Sequence, residues 1–276
     1  MSWFFYRIVL QAHVNADSLS LNVSFPSVAV LVSGDLSLPL VPERRTVHVW
    51  GVSLEASDAK LDRFEGWLSA EERARAARFI HRQDQTRFTL AHGSLRALLA
   101  RYVGGDPSAL RFQTGATGKP ALLDQYNHPH TLRFNLSHSH GRMLIALAQE
   151  QDVGVDLEQI RDKVEVLKLA ERFYTPAEYQ QVVRSGAGPD QARQFYRYWV
   201  AKEAVLKGQG LGLVSLQQCQ IQSSETLTSI ATILSANAAM QSGWTIRWLN
   251  CGQGWQGAVA ACGDSWVVHV MNEIPR

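Results

Sequence analysis

The chain has 276 residues, of which 46% are hydrophobic and 19% charged, and its formal net charge is +2. Its length can bury a substantial core in one large domain or in two lobes of about 110 residues, and its small net charge excludes a dedicated polyanion binder. Three widely spaced cysteines and the lack of any bilayer-spanning apolar run lead us to expect a soluble, unprocessed cytoplasmic protein without disulfides.

The chain begins with a segment, residues 1–44, that is rich in serine, leucine and valine and interrupted by prolines. We expect an extension that is poorly tied down, followed by a first lobe at 45–150 and a second lobe at 151–276. The first lobe opens with a predicted strand at 46–54. Ser69 and Glu72 then predict a helix start, because these two residue types cap each other's backbone at this spacing. A second helix carries an apolar stripe and ends at Gly104.

Three short strands are predicted next, at 132–136, 143–148 and 153–158, with turn signals between them. Thr175, Pro176 and Glu178 together predict another helix start, and strands return at 244–249, 258–262 and 266–270. This order of elements predicts an α+β protein of two lobes, although no repeat of residues between the lobes is evident.

Two carboxylates lie side by side on the strand predicted at 153–158. Because alternate residues of a strand face opposite sides, Asp156 and Glu158 share one face with Gly154. Like charges in this position repel unless water or a cation lies between them. An isolated pair is typical of a wet edge strand, so a metal site needs a second acidic motif.

That second motif is the run WVAKEAVLK at 199–207, in which Trp199, Glu203 and Lys207 share one face of a helix. Taken alone, it is typical of a solvated glutamate and lysine pair. Lys202, however, adds a second positive charge beside Glu203. One carboxylate with two lysines suits a hard metal ion such as Mg²⁺ held together with phosphate oxygens of a substrate.

Three further features carry polar or basic side chains. The run FNLSHS at 134–139 ends a strand in a polar turn that could hold a phosphate. GKP at 118–120 is a stiff basic loop, and no P-loop surrounds it. Arginines on the helix after Ser69 could clamp a phosphate or form a solvated face. A zinc site stays open as an alternative because four histidines lie close in sequence, at His128, His130, His138 and His140.

In combination and in this order, GKP, FNLSHS, GVDLE at 154–158 and WVAKEAVLK resemble the Sfp-type 4′-phosphopantetheinyl transferases. The resemblance is close over residues 46–215 and looser beyond them. It implies a pseudo-dimer of two similar α+β lobes in one chain, with coenzyme A bound between the lobes. Such enzymes move the phosphopantetheine arm of coenzyme A to a serine of an apo acyl or peptidyl carrier protein and release 3′,5′-ADP.

The resemblance also implies roles for individual residues. Three carboxylates match the ligands of Mg²⁺, for which Mn²⁺ is an alternative, namely Asp156, Glu158 and Glu203. Nine positions match catalytic groups or contacts to coenzyme A: Glu203 as general base, directly or through a water; Lys207, Asp156 and Lys202 at the diphosphate; Ser137, His138 and Arg75 at the 3′-phosphate; Lys119 and Pro120 beside the adenine nucleotide. Glu72 departs from the lysine of some members, so Arg73 is a further candidate at the 3′-phosphate.

Two other functions stay open. A module that binds coenzyme A without turnover would keep the pocket, although it would not need the acidic triad. A two-metal nuclease or other phosphodiesterase could use the same carboxylates, although the chain lacks the broad basic charge that nucleic-acid binding requires. We expect a monomer with neither nucleic acid nor membrane as a partner, and no feature indicates which carrier protein is modified.

Overall fold

The computed structural model describes residues 21–28, 41–115, 118–161, 163–222, 233–234 and 243–271. They form two lobes, each with a four-stranded sheet that carries helices on its outer face, and the two sheets pack against each other. The predicted α+β fold of two lobes is therefore confirmed. Most of the expected N-terminal extension, at 1–20 and 29–40, lies outside the described residues. No described helix has both the length and the apolar character needed to cross a membrane.

After a short strand β1 (Leu21–Asn22), the first lobe contains more elements than the sequence predicts. They are β2 (Thr46–Ser53), α1 (Asp58–Trp67), α2 (Ala70–Ala76), α3 (Arg82–Val103), a 3-10 helix (Pro107–Ala109), β3 (Phe112–Thr114), β4 (Pro120–Leu122), β5 (Leu132–Ser139) and β6 (Arg142–Gln149). The capping box that starts α2 is present, since the Glu72 N–H donates to Ser69 Oγ at 3.1 Å and the Ser69 N–H donates to Glu72 Oε2 at 2.8 Å. Helix α1 escaped prediction because Phe64 is its one buried residue.

The second lobe also begins with a strand and continues with helices. Its elements are β7 (Val153–Gln159), α4 (Val166–Phe173), α5 (Pro176–Arg184), α6 (Pro189–Gln209), a 3-10 helix (Leu213–Gln218), β8 (Gln220–Ile221), β9 (Ile233–Leu234), β10 (Trp244–Asn250), β11 (Trp255–Cys262) and β12 (Val267–Met271). Helix α5 starts where predicted, because Thr175 and Glu178 form a second capping box. Helix α6 ends at Gly210, whose φ of +70° suits glycine.

Each sheet has an edge strand that comes from the far end of the chain: β12 completes the sheet of the first lobe, and β1 completes that of the second. One sheet has the order β12-β2-β6-β5 and the other β1-β10-β11-β7, with β12 parallel to β2 and β1 parallel to β10. The Val23 N–H donates to the Asn250 carbonyl at 3.0 Å, and Val28 is fully buried. The expectation of a poorly tied-down extension is therefore wrong for residues 21–28. Strand β12, expected in the second lobe, completes the sheet of the first.

Small and β-branched side chains fill the space between the two sheets. Val49 of β2, Ala146 of β6, Val155 of β7 and Val259 of β11 all lie in this shared core and are fully buried. Such residues suit two sheets that pack face to face at about 10 Å. The opposite faces of the sheets pack against α3 and α6. Beside this core, β5 of the first lobe is joined to β7 of the second by side-chain hydrogen bonds.

The two lobes contain an internal repeat that the sequence did not reveal. The capping-box residues Ser69 and Glu72 of the first lobe correspond to Thr175 and Glu178 of the second, each 106 positions later. In both lobes the glutamate also pairs with a cation on the long helix, and these two cations are again 106 positions apart. The repeat is hidden in the sequence because similar rather than identical residues fill most of these positions.

Those cations are Arg96 on α3 and Lys202 on α6, and both are buried. Arg96 contacts Glu72 at 2.7 Å and donates to the Leu110 carbonyl at 3.0 Å. Lys202 contacts its glutamate at 2.7 Å and donates to the Leu216 carbonyl at 2.8 Å. Each cation therefore ties its long helix to the shorter helix before it and to the 3-10 segment after it.

Candidate functional site

Helix α6 approaches strand β7 very closely, and two glycines make this approach possible. A side chain at Gly154 would collide with the Ala204 carbonyl and with the backbone of Gly208, while a side chain at Gly208 would collide with Trp244. The space beside Gly154 is therefore filled by the helix. The approach places the acidic face of β7 against the α6 turns that carry Glu203 and Lys207.

Asp156 lies at the centre of the resulting cluster and is only 2% exposed. Its Oδ1 accepts a hydrogen bond from Lys207 Nζ at 2.6 Å and one from Ser137 Oγ at 2.7 Å. Lys207 Nζ also donates to Ser137 Oγ at 2.8 Å. The other oxygen, Oδ2, is buried and has no hydrogen-bond partner in the described part of the chain. A buried carboxylate oxygen without a partner indicates a position where a ligand binds.

Burial raises the pKa values of the other two carboxylates, Glu203 and Glu158. Burial, and then the charge of Asp156, raise the pKa of Glu203 to about 7, although Lys207 opposes the shift. Burial and Asp156 also raise the pKa of Glu158, whose Oε2 accepts a hydrogen bond from Ser139 Oγ at 2.9 Å. Three acidic groups therefore share one ammonium group, and a further cation would relieve their repulsion.

The donors in this cluster fit a hard divalent cation. Carboxylate oxygens are the ligands that Mg²⁺ prefers, with substrate oxygens and waters in its other positions. The unpartnered Oδ2 of Asp156 supplies one such donor. Within the described ranges, however, no three His, Cys, Asp or Glu side chains are already arranged around a metal position. Lys207 instead provides the positive charge next to Asp156, at 2.6 Å.

A basic region lies on the other side of β5 from this cluster. His138 is exposed there, yet the protein around its ring lowers its pKa, as do the charges of Lys207, His92, Arg87 and Arg75. The charge of Arg75 therefore acts on His138, and an anion site at these two residues stays a prediction. Arg75 is exposed, and its guanidinium carbon lies 5.4 Å from the centroid of the Phe88 ring.

Two other residues named for the 3′-phosphate make internal contacts. Arg73 donates to the Leu68 carbonyl at the start of α2. Glu72 accepts from Arg96 Nε at 2.7 Å and lies 3.4 Å from His92 Nδ1. Glu72 therefore has a structural partner on α3, and the basic region depends on His138, Arg75 and Arg87.

The predicted GKP loop borders a cavity of about 320 Å³. Lys119 Nζ donates to the Gly208 carbonyl, one residue after Lys207, and lies 3.9 Å from Asp152. Burial lowers the pKa of Lys119. The walls of the cavity come from β4, from the start of β5 and from the end of α6, and include Pro120, Leu122, Phe134 and Gln209. The loop therefore reaches the same helix turn as the acidic cluster.

Lys202 does not belong to the site. Its side chain is fully buried, and its Nζ donates to the Leu216 carbonyl at 2.8 Å and to the Cys219 carbonyl at 2.6 Å, besides contacting Glu178. These three partners use all three N–H donors of an ammonium group. The prediction that Lys202 adds charge at a diphosphate is wrong, because Lys202 and Glu203 are neighbours in sequence that point to different sides of α6.

The histidine-based zinc alternative also gains no support. His130 Nδ1 accepts from the Leu132 N–H at 2.9 Å, and His128 lies near Asp124 in the turn before β5. His138 lies near the far end of β5, and His140 lies in the turn that follows this strand. In the part of the chain that the structure describes, these histidines do not form a group of three metal donors.

Sequence reasoning missed two residues at the site, Ser139 and Arg87. Ser139 contacts Glu158, and the period of two along β5 already places it on the same face as Ser137. Arg87 lowers the pKa values of His138 and His140 by its charge. No sequence pattern marked Arg87, because it lies on α3 and meets β5 only in the folded chain.

Two models of known protein families match the chain, one in each lobe. Residues 152–260 match the model of the 4′-phosphopantetheinyl transferase superfamily, and residues 54–151 match that of the 4′-phosphopantetheinyl transferase N-terminal region. The chain is 35% identical to 4′-phosphopantetheinyl transferase HetI of Nostoc sp. over 220 residues, which are 80% of this chain and 89% of HetI.

Two other relatives are similarly related. The chain is 32% identical to 4′-phosphopantetheinyl transferase Sfp of Bacillus subtilis, over 60% of this chain and 72% of Sfp. It is 30% identical to a phosphopantetheinyl transferase of Thraustochytrium sp., over 73% of each protein. With a relative at 35% identity matched over most of its length and family models that meet between the lobes, this chain belongs to the 4′-phosphopantetheinyl transferase family.

Proposed function

We propose that this enzyme transfers the 4′-phosphopantetheine group of coenzyme A to a serine hydroxyl of an apo acyl or peptidyl carrier protein and releases 3′,5′-ADP. Its family membership supports the reaction. The observation that carries the proposal is that Lys207 contacts Asp156 at 2.6 Å where the two lobes meet, and that its charge also acts on Glu158 and Glu203. A module that only bound the nucleotide would not need three carboxylates beside a phosphate group.

Asp156, Glu158 and Glu203 are the proposed ligands of one Mg²⁺, for which Mn²⁺ could substitute. The unpartnered Oδ2 of Asp156, within the described residues, and the raised pKa values of the two glutamates support this assignment. A cation bound there would neutralise charge on the diphosphate of coenzyme A and orient its oxygens. The protein itself would supply carboxylate oxygens to the ion, among them the Oδ2 of Asp156 that lacks a partner within the described residues.

Lys207 is the residue that we propose to stabilise the leaving group. Its side chain is 30% exposed and already contacts Asp156 and Ser137, so it can reach a phosphate oxygen without leaving the cluster. The bond between the diphosphate oxygen and the pantetheine phosphorus breaks as the serine attacks that phosphorus in line. Negative charge then grows on 3′,5′-ADP, and the ammonium of Lys207 offsets it.

Glu203 is the proposed general base. A carboxylate with a pKa of about 7 is well matched to accept a proton near neutral pH. Glu203 would take the proton of the carrier serine as the hydroxyl oxygen bonds to phosphorus. Since a bound cation lowers this pKa again, the proposal includes two routes, direct transfer to Glu203 and transfer through a water.

The nucleotide end of coenzyme A is proposed to contact mainly the first lobe. His138 and Arg75 would contact the 3′-phosphate, because both face the basic region beside β5. Lys119 and Pro120 border the cavity that would accept the adenine nucleotide. The hydroxyl of Ser137 lies between Asp156 and Lys207, so we now propose that it contacts the diphosphate rather than the 3′-phosphate.

We also propose an oligomeric state, a location and a limited set of partners for the enzyme. The enzyme is a monomer, it acts in the cytoplasm, and neither nucleic acid nor a membrane is among its partners. Analytical ultracentrifugation of the purified chain with coenzyme A, and cell fractionation, would test the first two.

The transfer is tested by incubating the full chain with coenzyme A, Mg²⁺ and a panel of apo carrier proteins, and measuring the intact mass of each carrier. We expect one carrier at least to gain the mass of a single phosphopantetheine group. The gain should disappear when a chelator removes Mg²⁺ or when the carrier serine is replaced by alanine.

The alternatives predict other products. Tight binding of coenzyme A with no gain of mass on any carrier would favour a binding module without turnover. Cleavage of a nucleic-acid or phosphodiester substrate would favour a phosphodiesterase that uses the same carboxylates. Either result would overturn the proposed transfer.

A further inference from the structure

A row of polar side chains on β5 joins the first lobe to the acidic strand of the second. Alternate residues Asn135, Ser137 and Ser139 all face β7. Asn135 Oδ1 accepts from the Val155 N–H at 2.9 Å, Ser137 donates to Asp156, and Ser139 donates to Glu158. Strands β5 and β7 belong to different sheets, so these side-chain bonds connect the lobes where backbone pairing does not.

The two carboxylates of β7 are held to different extents. Asp156 Oδ1 accepts from both Ser137 and Lys207. Glu158 is half-buried, and among the described residues the hydroxyl of Ser139 is its one hydrogen-bond donor, at 2.9 Å from Oε2. A glutamate has one more rotatable bond than an aspartate and loses more conformational entropy on ordering. Ser139 therefore supplies the one hydrogen bond that orients the Glu158 carboxylate within the described residues. The charges of Lys207 and Arg161 add attraction.

The position of that hydroxyl is itself fixed. Ser139 is 8% exposed, and it is the last residue of β5, where it pairs with Arg142 across the hairpin. The Gln159 N–H donates to Ser139 Oγ at 3.3 Å. A hydroxyl has one proton and two lone pairs, so Ser139 can accept from Gln159 and donate to Glu158 at the shorter distance of 2.9 Å. His140 Nδ1 lies 3.3 Å from the same hydroxyl, where it donates or accepts according to its tautomer.

We propose that Ser139 is a positioning residue that holds the Glu158 carboxylate in the orientation required to bind the divalent cation. The inference rests on the proposed function, since it takes Glu158 as a metal ligand. Outer partners that hydrogen-bond a metal ligand set its orientation, and their loss typically weakens metal affinity by roughly 10- to 100-fold. The first lobe would then supply part of the metal site, besides its contacts to the nucleotide.

The test titrates three variants of the full chain with Mn²⁺ in the absence of coenzyme A and carrier protein. The concentration of free Mn²⁺ is measured by electron paramagnetic resonance. Ser139→Ala should weaken Mn²⁺ binding by roughly tenfold. Ser139→Thr keeps the hydroxyl and should bind close to the wild-type affinity. Asn135→Ala removes the neighbouring bond between the lobes without touching a carboxylate, so it should lower stability and leave Mn²⁺ affinity close to wild type.

The results separate three explanations. Wild-type Mn²⁺ affinity in Ser139→Ala, or equal weakening in Ser139→Ala and Asn135→Ala, would overturn the positioning role. Absence of Mn²⁺ binding by the wild-type chain would instead contradict the proposed metal site itself. A second measurement, coenzyme A affinity without divalent cation, should be the same in wild type and Ser139→Ala, because the hydrogen bonds of the Ser139 hydroxyl within the described residues go to Glu158, Gln159 and His140.

Discussion

Replacement of Lys202 by alanine should destabilise the protein and leave its affinity for coenzyme A unchanged. Lys202 is fully buried and Glu178 is 2% exposed, so the variant would leave a carboxylate in the core without its cation. It would also leave the Leu216 and Cys219 carbonyls without this donor. Removing one partner of a buried ion pair costs about 3 to 5 kcal/mol. The remaining bonds of Glu178 to Thr175 and Ile221 do not replace the lost charge.

Urea unfolding gives the free energy of unfolding of Lys202→Ala, and calorimetric titration gives the affinity of its folded form for coenzyme A. Lys207→Ala is the matched control from the same helix. Since Lys207 is 30% exposed and faces the acidic cluster, its loss should weaken coenzyme A binding with a smaller change in stability. The double variant Lys202→Met with Glu178→Gln should recover part of the lost stability, because no unpaired charge remains buried.

A stable Lys202→Ala variant with weakened coenzyme A binding would refute this reasoning. That result would return Lys202 to the diphosphate, as its position beside Glu203 in the sequence first suggested. Equal effects of Lys202→Ala and Lys207→Ala on coenzyme A affinity would contradict the assignment of the two lysines to opposite sides of α6.

Three other predictions concern packing and pH. Gly154→Ala should lower the free energy of unfolding by about 1 to 3 kcal/mol and abolish transfer, because its methyl group would collide with α6, whereas Gly66→Ala meets open space and serves as the control. The rate of transfer should rise with pH through the pKa of Glu203, about 7. The midpoint of this rise should move to lower pH as the Mg²⁺ concentration increases, because a bound cation lowers the pKa of its ligand. A midpoint that does not change with Mg²⁺ would contradict metal binding by Glu203. Burial, and then His269, lower the pKa of His48 from 6.5 to about 4, so between these values the unfolded imidazole takes up a proton that the folded one does not. The free energy of unfolding should therefore be at its full value above pH 6.5 and should fall by at most roughly 3 kcal/mol as the pH is lowered to 4. An equal fall in the His48→Asn variant would contradict His48 as the cause.

Local patterns in the sequence predicted the features that depend on near neighbours. The capping boxes at Ser69 and Thr175 and the shared face of Asp156 and Glu158 follow from spacings of two or three residues. The shared face of Glu203 and its lysine partner follows in the same way from helical spacing. These relations hold in any fold that keeps the strand or the helix.

Features that depend on distant parts of the chain could not be predicted in this way. The pairing of β1 with β10 and of β12 with β2 joins segments from opposite ends of the sequence. Lys202 is next to Glu203 in the sequence, and no local pattern could show that Glu178 lies on the other side of α6 and pairs with Lys202. The role of Ser139 likewise depends on β7, which lies in the other lobe. In each case tertiary packing determines the partner.

The central claim is that Asp156, Glu158 and Glu203 hold a divalent cation against the diphosphate of coenzyme A. The most direct measurement is the affinity for coenzyme A with and without Mg²⁺, by calorimetric titration of the wild-type chain and of Asp156→Asn. We predict that Mg²⁺ strengthens coenzyme A binding by the wild type and has little effect on Asp156→Asn, which keeps the size of the side chain and loses its charge. Equal strengthening by Mg²⁺ in both proteins would contradict the account.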